Sequence, residues 1–214
     1  MIICDEPRIA YYPPSKTGTT TVEKTLADLG IPIKVGRALK HDLPAETAAQ
    51  DLYEDNYFFM ITLRNPYSRA VSMWSHFTKP LPTGKNIINI ESDLSKDSRG
   101  KDFKHWVDTV LLSEKMSMRY QSFFRSQAEY LAAMPRVDAV LFQESLTQNL
   151  LALPWVKERI GDWKVRHEQL GPYRVRSNWK DVYENDTGLI EAVKSRFEAD
   201  FQAAQYSPEF EDAT

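Results

Sequence analysis

The stretch YYPPSKTGTTTVEKTL, Tyr11 to Leu26, joins an apolar segment to a run with helical spacing through one lysine, one glycine and a block of threonines. The segment leading into it, RIAYY at 8–12, is rich in β-formers and stops at Pro13-Pro14, a pair that cannot continue a ladder. Beyond the turn, Val22, Leu26 and Leu29 recur at i, i+4 and i+7. Thr20 or Thr21 stands where an N-cap belongs, and Gly30 with Pro32 marks the helix end. The expectation is strand, tight loop, helix.

The same order recurs downstream. YFFMITL at 57–63 is a nearly continuous apolar run, as suits a strand buried on both faces. It gives way to RNP and then YSRAVSMWSHF, in which Tyr67, Val71 and Trp74 share a helical face. DAVLF at 138–142 is a third such run, so a layered α/β fold with a mainly parallel sheet is expected. Residues 79–101 are polar and broken by two prolines and two glycines, which reads as a long surface loop, either a lid or a plain insertion. Helices are expected at 102–112, 119–133 and 187–204. No linker or repeat divides the chain, so residues 1–214 form one domain.

Composition bounds the function. With 214 residues, 42% of them hydrophobic, the chain can bury a full-sized core. A formal net charge of −3 argues against general attraction to nucleic acid or an anionic membrane, so any anion site must be local. The single cysteine, Cys4, excludes an intrachain disulfide and a thiolate metal cluster, and it reads as a small buried apolar residue. Neither a signal peptide nor an apolar run of membrane-spanning length is visible, so the expectation is a soluble, cytoplasmic protein.

Two segments carry chemistry. PSKTGTTT would set backbone amides, the hydroxyls of Thr17, Thr19, Thr20 and Thr21, and the Lys16 ammonium at a helix N-terminus, where unpaired donors and the helix dipole attract anions. Gly18 permits close approach or positive φ. The plainer alternative is a threonine-capped turn with a solvated lysine. A Walker A loop requires lysine after the second glycine, whereas Lys16 precedes Gly18, so the loop is P-loop-like without being a Walker A. In TLRNPYSRAVSMW, Arg64 emerges at the C-terminal end of a strand, with Ser72 eight residues on. An arginine fork with a hydroxyl suits a phosphate monoester. Arg69 is expected in a surface ion pair.

Together these segments resemble the sulfotransferases that use 3′-phosphoadenosine 5′-phosphosulfate (PAPS), with motifs P-K-x-G-[ST]-[ST]-[ST] and R-[ND]-P-x-x-R-x-x-S. Ser15 intervenes here between Pro14 and Lys16. KHDLPAE at 40–46, RSQAEYL at 125–131, VDAVLFQESL at 137–146 and the closing LIEAVKSRFEADFQAAQY are similar to segments of the carbohydrate-type branch. Gln143 replaces an arginine common before Glu144, and Ala204 with Gln205 replaces the usual Phe-Gly before Tyr206.

The resemblance implies a P-loop-like three-layer fold with a central sheet flanked by helices, and in-line sulfuryl transfer from PAPS to a hydroxyl or amine, with a saccharide as acceptor and no metal. It assigns Lys16 to the leaving oxygen, and Gly18, Thr19, Thr20 and Thr21, beside Thr17, to the phosphosulfate. Arg64 and Ser72 take the 3′-phosphate. His41 is the favoured base, with Glu46 and His76 as alternatives, His105 read as a surface residue and His167 unplaced. Arg174, Arg176, Ser177 and Trp179 are candidates for a loop over the nucleotide, or for a plain solvated connection. Rival readings are a small nucleotide kinase with a divergent phosphate loop and a catalytically inactive nucleotide-binding module.

Overall fold

The computed structural model describes residues 1–35, 41, 43, 46–78, 101–113, 122–159 and 178–213. Five strands, β1 (Ile2–Asp5), β2 (Arg8–Tyr12), β3 (Lys34–Val35), β4 (Phe58–Leu63) and β5 (Ala139–Phe142), form one sheet in the order β3-β1-β2-β4-β5. β2, β4 and β5 are parallel neighbours. β1 runs antiparallel to both β2 and β3, so β3 points the same way as β2 and β1 alone of the five is reversed. The sheet is therefore mixed, with four strands in one direction.

Alternation along each strand sends successive side chains to opposite faces, and helices cover both. On one face Ile9, Tyr11, Met60 and Leu141 pack against α1 (Thr19–Asp28), α6 (Leu146–Ala152) and α7 (Pro154–Lys157). On the other, Ala10, Tyr12, Phe59 and Ile61 meet α2 (Glu46–Glu54) and α5 (Gln127–Ala132). A third cluster joins α3 (Pro66–Thr78), α4 (Phe103–Trp106), the π-helical turn Val107–Leu111, α8 (Thr187–Arg196) and α9 (Glu198–Ala204).

The three expected strands are present to within a residue, and α1 and α3 follow β2 and β4 as anticipated. Some boundaries differ for physical reasons. The expected C-terminal helix breaks at Phe197, whose φ of −117° and ψ of 23° end α8 and open α9 while its ring enters the core. The helix expected over 119–133 breaks at Arg125 and Ser126, between a helical turn at 122–124 and α5, because Ser126 and Glu129 form a reciprocal capping box that starts a new helix. Most of the 79–101 loop lies outside the described residues.

Candidate functional site

The loop after β2 is held from beneath by a buried hydroxyl chain. Thr17 donates to the Pro14 carbonyl at 2.7 Å, and its Oγ1 also contacts Thr62 Oγ1 on β4 at 2.7 Å. A carbonyl can only accept, so Thr62 must donate to Thr17, and the Tyr11 hydroxyl, 2.8 Å away, must donate to Thr62. Burial raises the Tyr11 pKa, which keeps this chain protonated. The Thr17 hydroxyl is thus committed to the scaffold.

Above this chain the backbone turns sharply. Lys16 adopts φ 65° and Gly18 φ 97°, both in the left-handed region. A Cβ on Gly18 would sit 2.9 Å from Leu146 Cδ2 and 3.4 Å from Gln143 Cγ, so glycine is demanded by both conformation and space. Gly18, not a threonine, is the N-cap of α1, and no side chain caps it. The Thr19 and Thr20 amides therefore have no intrahelical partner. Thr20 is exposed, and Thr19 and Thr21 are buried. The expected threonine-capped turn is replaced by an uncapped helix end.

The second motif closes on the first. Arg64 Nε donates to Ser68 Oγ at 2.9 Å and its Nη1 to the Lys16 carbonyl at 3.2 Å. Ser72, half-buried, lies one helical turn beyond Ser68 on the same face of α3. Arg64 forms no ion pair among the described residues. Burial pushes its pKa down to about 10 against the pull of the Glu144 carboxylate, so it remains a cation at neutral pH.

Three residues without an assigned role in the sequence fasten this turn. Gln127 accepts the Arg64 amide at 2.8 Å and donates to the Arg64 carbonyl at 2.9 Å. Glu144 accepts the Asn65 amide at 2.8 Å. Asp200 accepts from Gln127 Nε2 at 3.3 Å and from Arg69 Nη1 at 3.1 Å. Arg69, expected at the surface, is instead fully buried together with Asp200. Its Nε also holds the Ser15 carbonyl at 3.1 Å and its Nη2 the Arg125 carbonyl at 2.8 Å. The inserted Ser15 is buried and donates to the Phe123 carbonyl. All these links span dozens of residues in sequence, which is why local spacing could not reveal them.

His41 reaches the base of the loop. Its Nδ1 lies 2.7 Å from the Pro13 carbonyl, and because that oxygen only accepts, Nδ1 carries the proton. In the neutral ring the lone pair then sits on Nε2. The Tyr130 hydroxyl donates to the His41 carbonyl, tying this residue to α5. His76, on α3, is stacked on Phe123 at 5.4 Å and 16°. Burial, with the charges of Lys16 and His41, lowers its pKa to about 4. Lys16, His41 and His76 therefore share one electrostatic environment.

Other predicted residues lie apart from this group or beyond view. Trp179 stacks on Tyr67 at 6.4 Å and 10° and meets Phe210 edge-on, within the third core cluster. His105 donates its amide to Asp102 at the start of α4. Lys40, His167, Arg174, Arg176 and Ser177 lie outside the described residues, as does the side chain of Glu46. Among the described residues no group of three or more His, Cys, Asp or Glu could hold a metal, and no helix is long and apolar enough to cross a membrane.

The assembled geometry is a sheet edge where the C-terminal ends of two adjacent parallel strands release two loops in mutual contact, bearing Lys16 and Arg64. Such an edge is where open α/β sheets bind ligands. No protein-family model matches the chain, and neither a curated protein nor a solved structure matches it significantly.

Proposed function

We propose that this chain is a PAPS-dependent sulfotransferase of P-loop-like fold, acting in the cytoplasm on the hydroxyl of a saccharide. The observation that carries the reading is Arg64, a cation with no carboxylate in contact among the described residues, bonded to the very loop that bears Lys16 and the open α1 terminus. A half-buried guanidinium without a counter-charge is costly, and an anionic ligand relieves the cost.

In this scheme the Gly18, Thr19 and Thr20 amides, with Thr21, hold the 5′-phosphosulfate. Arg64 with Ser72 holds the 3′-phosphate, and Arg176 and Ser177, outside the described residues, are assigned to the nucleotide by the resemblance alone. The acceptor oxygen attacks sulfur in line as the bond from sulfur to the bridging phosphate oxygen breaks. The electron pair goes to that oxygen, where the Lys16 ammonium offsets the charge. The acceptor proton passes to His41 Nε2, the nitrogen left unprotonated by the Pro13 contact. Alignment and electrostatics supply most of the rate.

The test is a calorimetric titration with adenosine 3′,5′-bisphosphate and with ATP, followed by transfer of labelled sulfate from PAPS across a panel of saccharides. Tight bisphosphate binding and label transfer are expected. Tighter binding of ATP would favour a kinase and overturn the reading.

A further inference from the structure

The turn after β4 that carries Arg64 is also bound by a carboxylate, Glu144, that makes no hydrogen bond to the guanidinium. Glu144 Oε1 accepts the Asn65 amide at 2.8 Å, and Oε2 accepts the Tyr206 hydroxyl at 2.8 Å. Both oxygens are thus turned to neutral donors, one residue along the chain from a guanidinium that has no ion pair among the described residues. Tyr206 is itself held on two sides. Its amide donates to the Phe201 carbonyl at 3.1 Å at the end of α9, and its ring packs edge-on against Phe142 at 5.7 Å and 89°.

We propose that Tyr206 is a positioning residue that tethers the Glu144 carboxylate away from Arg64 and so keeps the guanidinium open to an external anion. The identity of that anion rests on the sulfotransferase reading; the tether does not. The physical reason is the strength of the alternative. An arginine–carboxylate contact is charge-assisted and readily bidentate, so the Glu144 carboxylate, bonded to the amide next to Arg64, would swing onto the guanidinium unless its other partner fixed its orientation. Loss of the Tyr206 hydroxyl frees Oε2, and the resulting internal ion pair competes with phosphate. Glu144→Gln acts the other way, since the amide oxygen still accepts from Asn65 while the competing charge is gone. A purely structural role for both residues would make both substitutions weaken anion binding.

The experiment follows the Arg64 side-chain Nε–H resonance of 15N-labelled protein without ligand, in the native chain, Tyr206→Phe, Glu144→Gln and the double variant. Each protein is then titrated with inorganic phosphate and with adenosine 3′,5′-bisphosphate. Tyr206→Phe should shift the Arg64 signal and weaken both anions by about tenfold. Glu144→Gln should tighten both, and the double variant should bind as Glu144→Gln does. An unmoved Arg64 signal in Tyr206→Phe, or weaker binding in a folded Glu144→Gln, overturns the proposal. Should Tyr206→Phe fail to fold, the direction of the Glu144→Gln change decides alone. A native chain that binds phosphate but not the bisphosphate refutes the sulfotransferase reading and leaves the tether to be judged on phosphate. Binding of neither overturns both.

Discussion

The Arg64 guanidinium bonds the Lys16 carbonyl oxygen at 3.2 Å, so the turn after β4 grips the turn after β2. A carbonyl used in this way fixes where the Lys16 backbone points, and its left-handed φ of 65° is held from outside the loop. The two residues should therefore fail differently. Arg64→Ala removes the cation and the grip together, and should weaken adenosine 3′,5′-bisphosphate by about a hundredfold, since hydrogen bonds to charged groups contribute up to about 3 kcal/mol. Lys16→Ala should lower the transfer rate by about 10²–10³-fold while changing bisphosphate affinity less than tenfold, because its role is on the leaving oxygen. Calorimetry and single-turnover transfer of labelled sulfate separate the two. Equal transfer rates in Lys16→Ala and the native chain would remove Lys16 from the chemistry.

Arg69 and Asp200 form an ion pair with both side chains fully buried. Asp200→Ala leaves a buried guanidinium without its counter-charge and should cost about 3–5 kcal/mol in urea unfolding. The loss also reaches the site, because the same arginine holds the Ser15 carbonyl ahead of Lys16. Bisphosphate affinity should fall even under conditions where the variant is fully folded. An Asp200→Ala protein as stable as the native chain would show that the pair is dispensable.

Much of the framework was legible because it is local. An apolar run, a proline or glycine stop and a helical stripe occur side by side at β2–α1 and β4–α3, and both loops fell where periodicity placed them. β1 and β3 were missed because β1, IICD, is a three-residue apolar run ending in aspartate and β3 has only two residues. The Arg69–Asp200 pair joins residues 131 apart, and the Tyr206–Glu144 bond joins residues 62 apart. Burial of an arginine depends on such distant partners, so its local sequence suggested a surface residue. The cap of α1 failed for a different reason: a threonine prefers negative φ, whereas the chain turns there through the left-handed region at Gly18.

Two left-handed positions should respond to substitution in opposite directions. Gly18→Ala introduces a Cβ at φ 97° and 2.9 Å from Leu146 Cδ2, and should destabilise the fold by about 1–3 kcal/mol while displacing the loop. Gln205 ends α9 with φ 56°, a cost that glycine would not bear. Gln205→Gly should therefore stabilise the protein by about 0.5–1 kcal/mol, offset in part by the greater freedom of glycine in the unfolded chain. Thermal melts of the two variants beside the native chain check both signs.

His76 gives the stability a pH dependence of its own. Burial and the nearby positive charges lower its pKa from 6.5 to about 4, so the folded protein favours the neutral ring. Between those values the unfolded chain binds a proton that the folded chain does not, and stability must fall as pH drops through that window. The contribution is fully present above pH 6.5 and amounts to at most about 3 kcal/mol. His76→Phe keeps a ring to stack on Phe123 but has nothing to titrate. Its urea midpoint should therefore vary less between pH 6.5 and pH 4 than that of the native chain. The carboxylates of Asp5 and Asp186, held below 3.8 by their lysine partners, enter only at the acidic end of that window and are common to both proteins. Identical slopes for the two proteins would mean that His76 protonates freely in the folded state, and that Lys16 does not press on it.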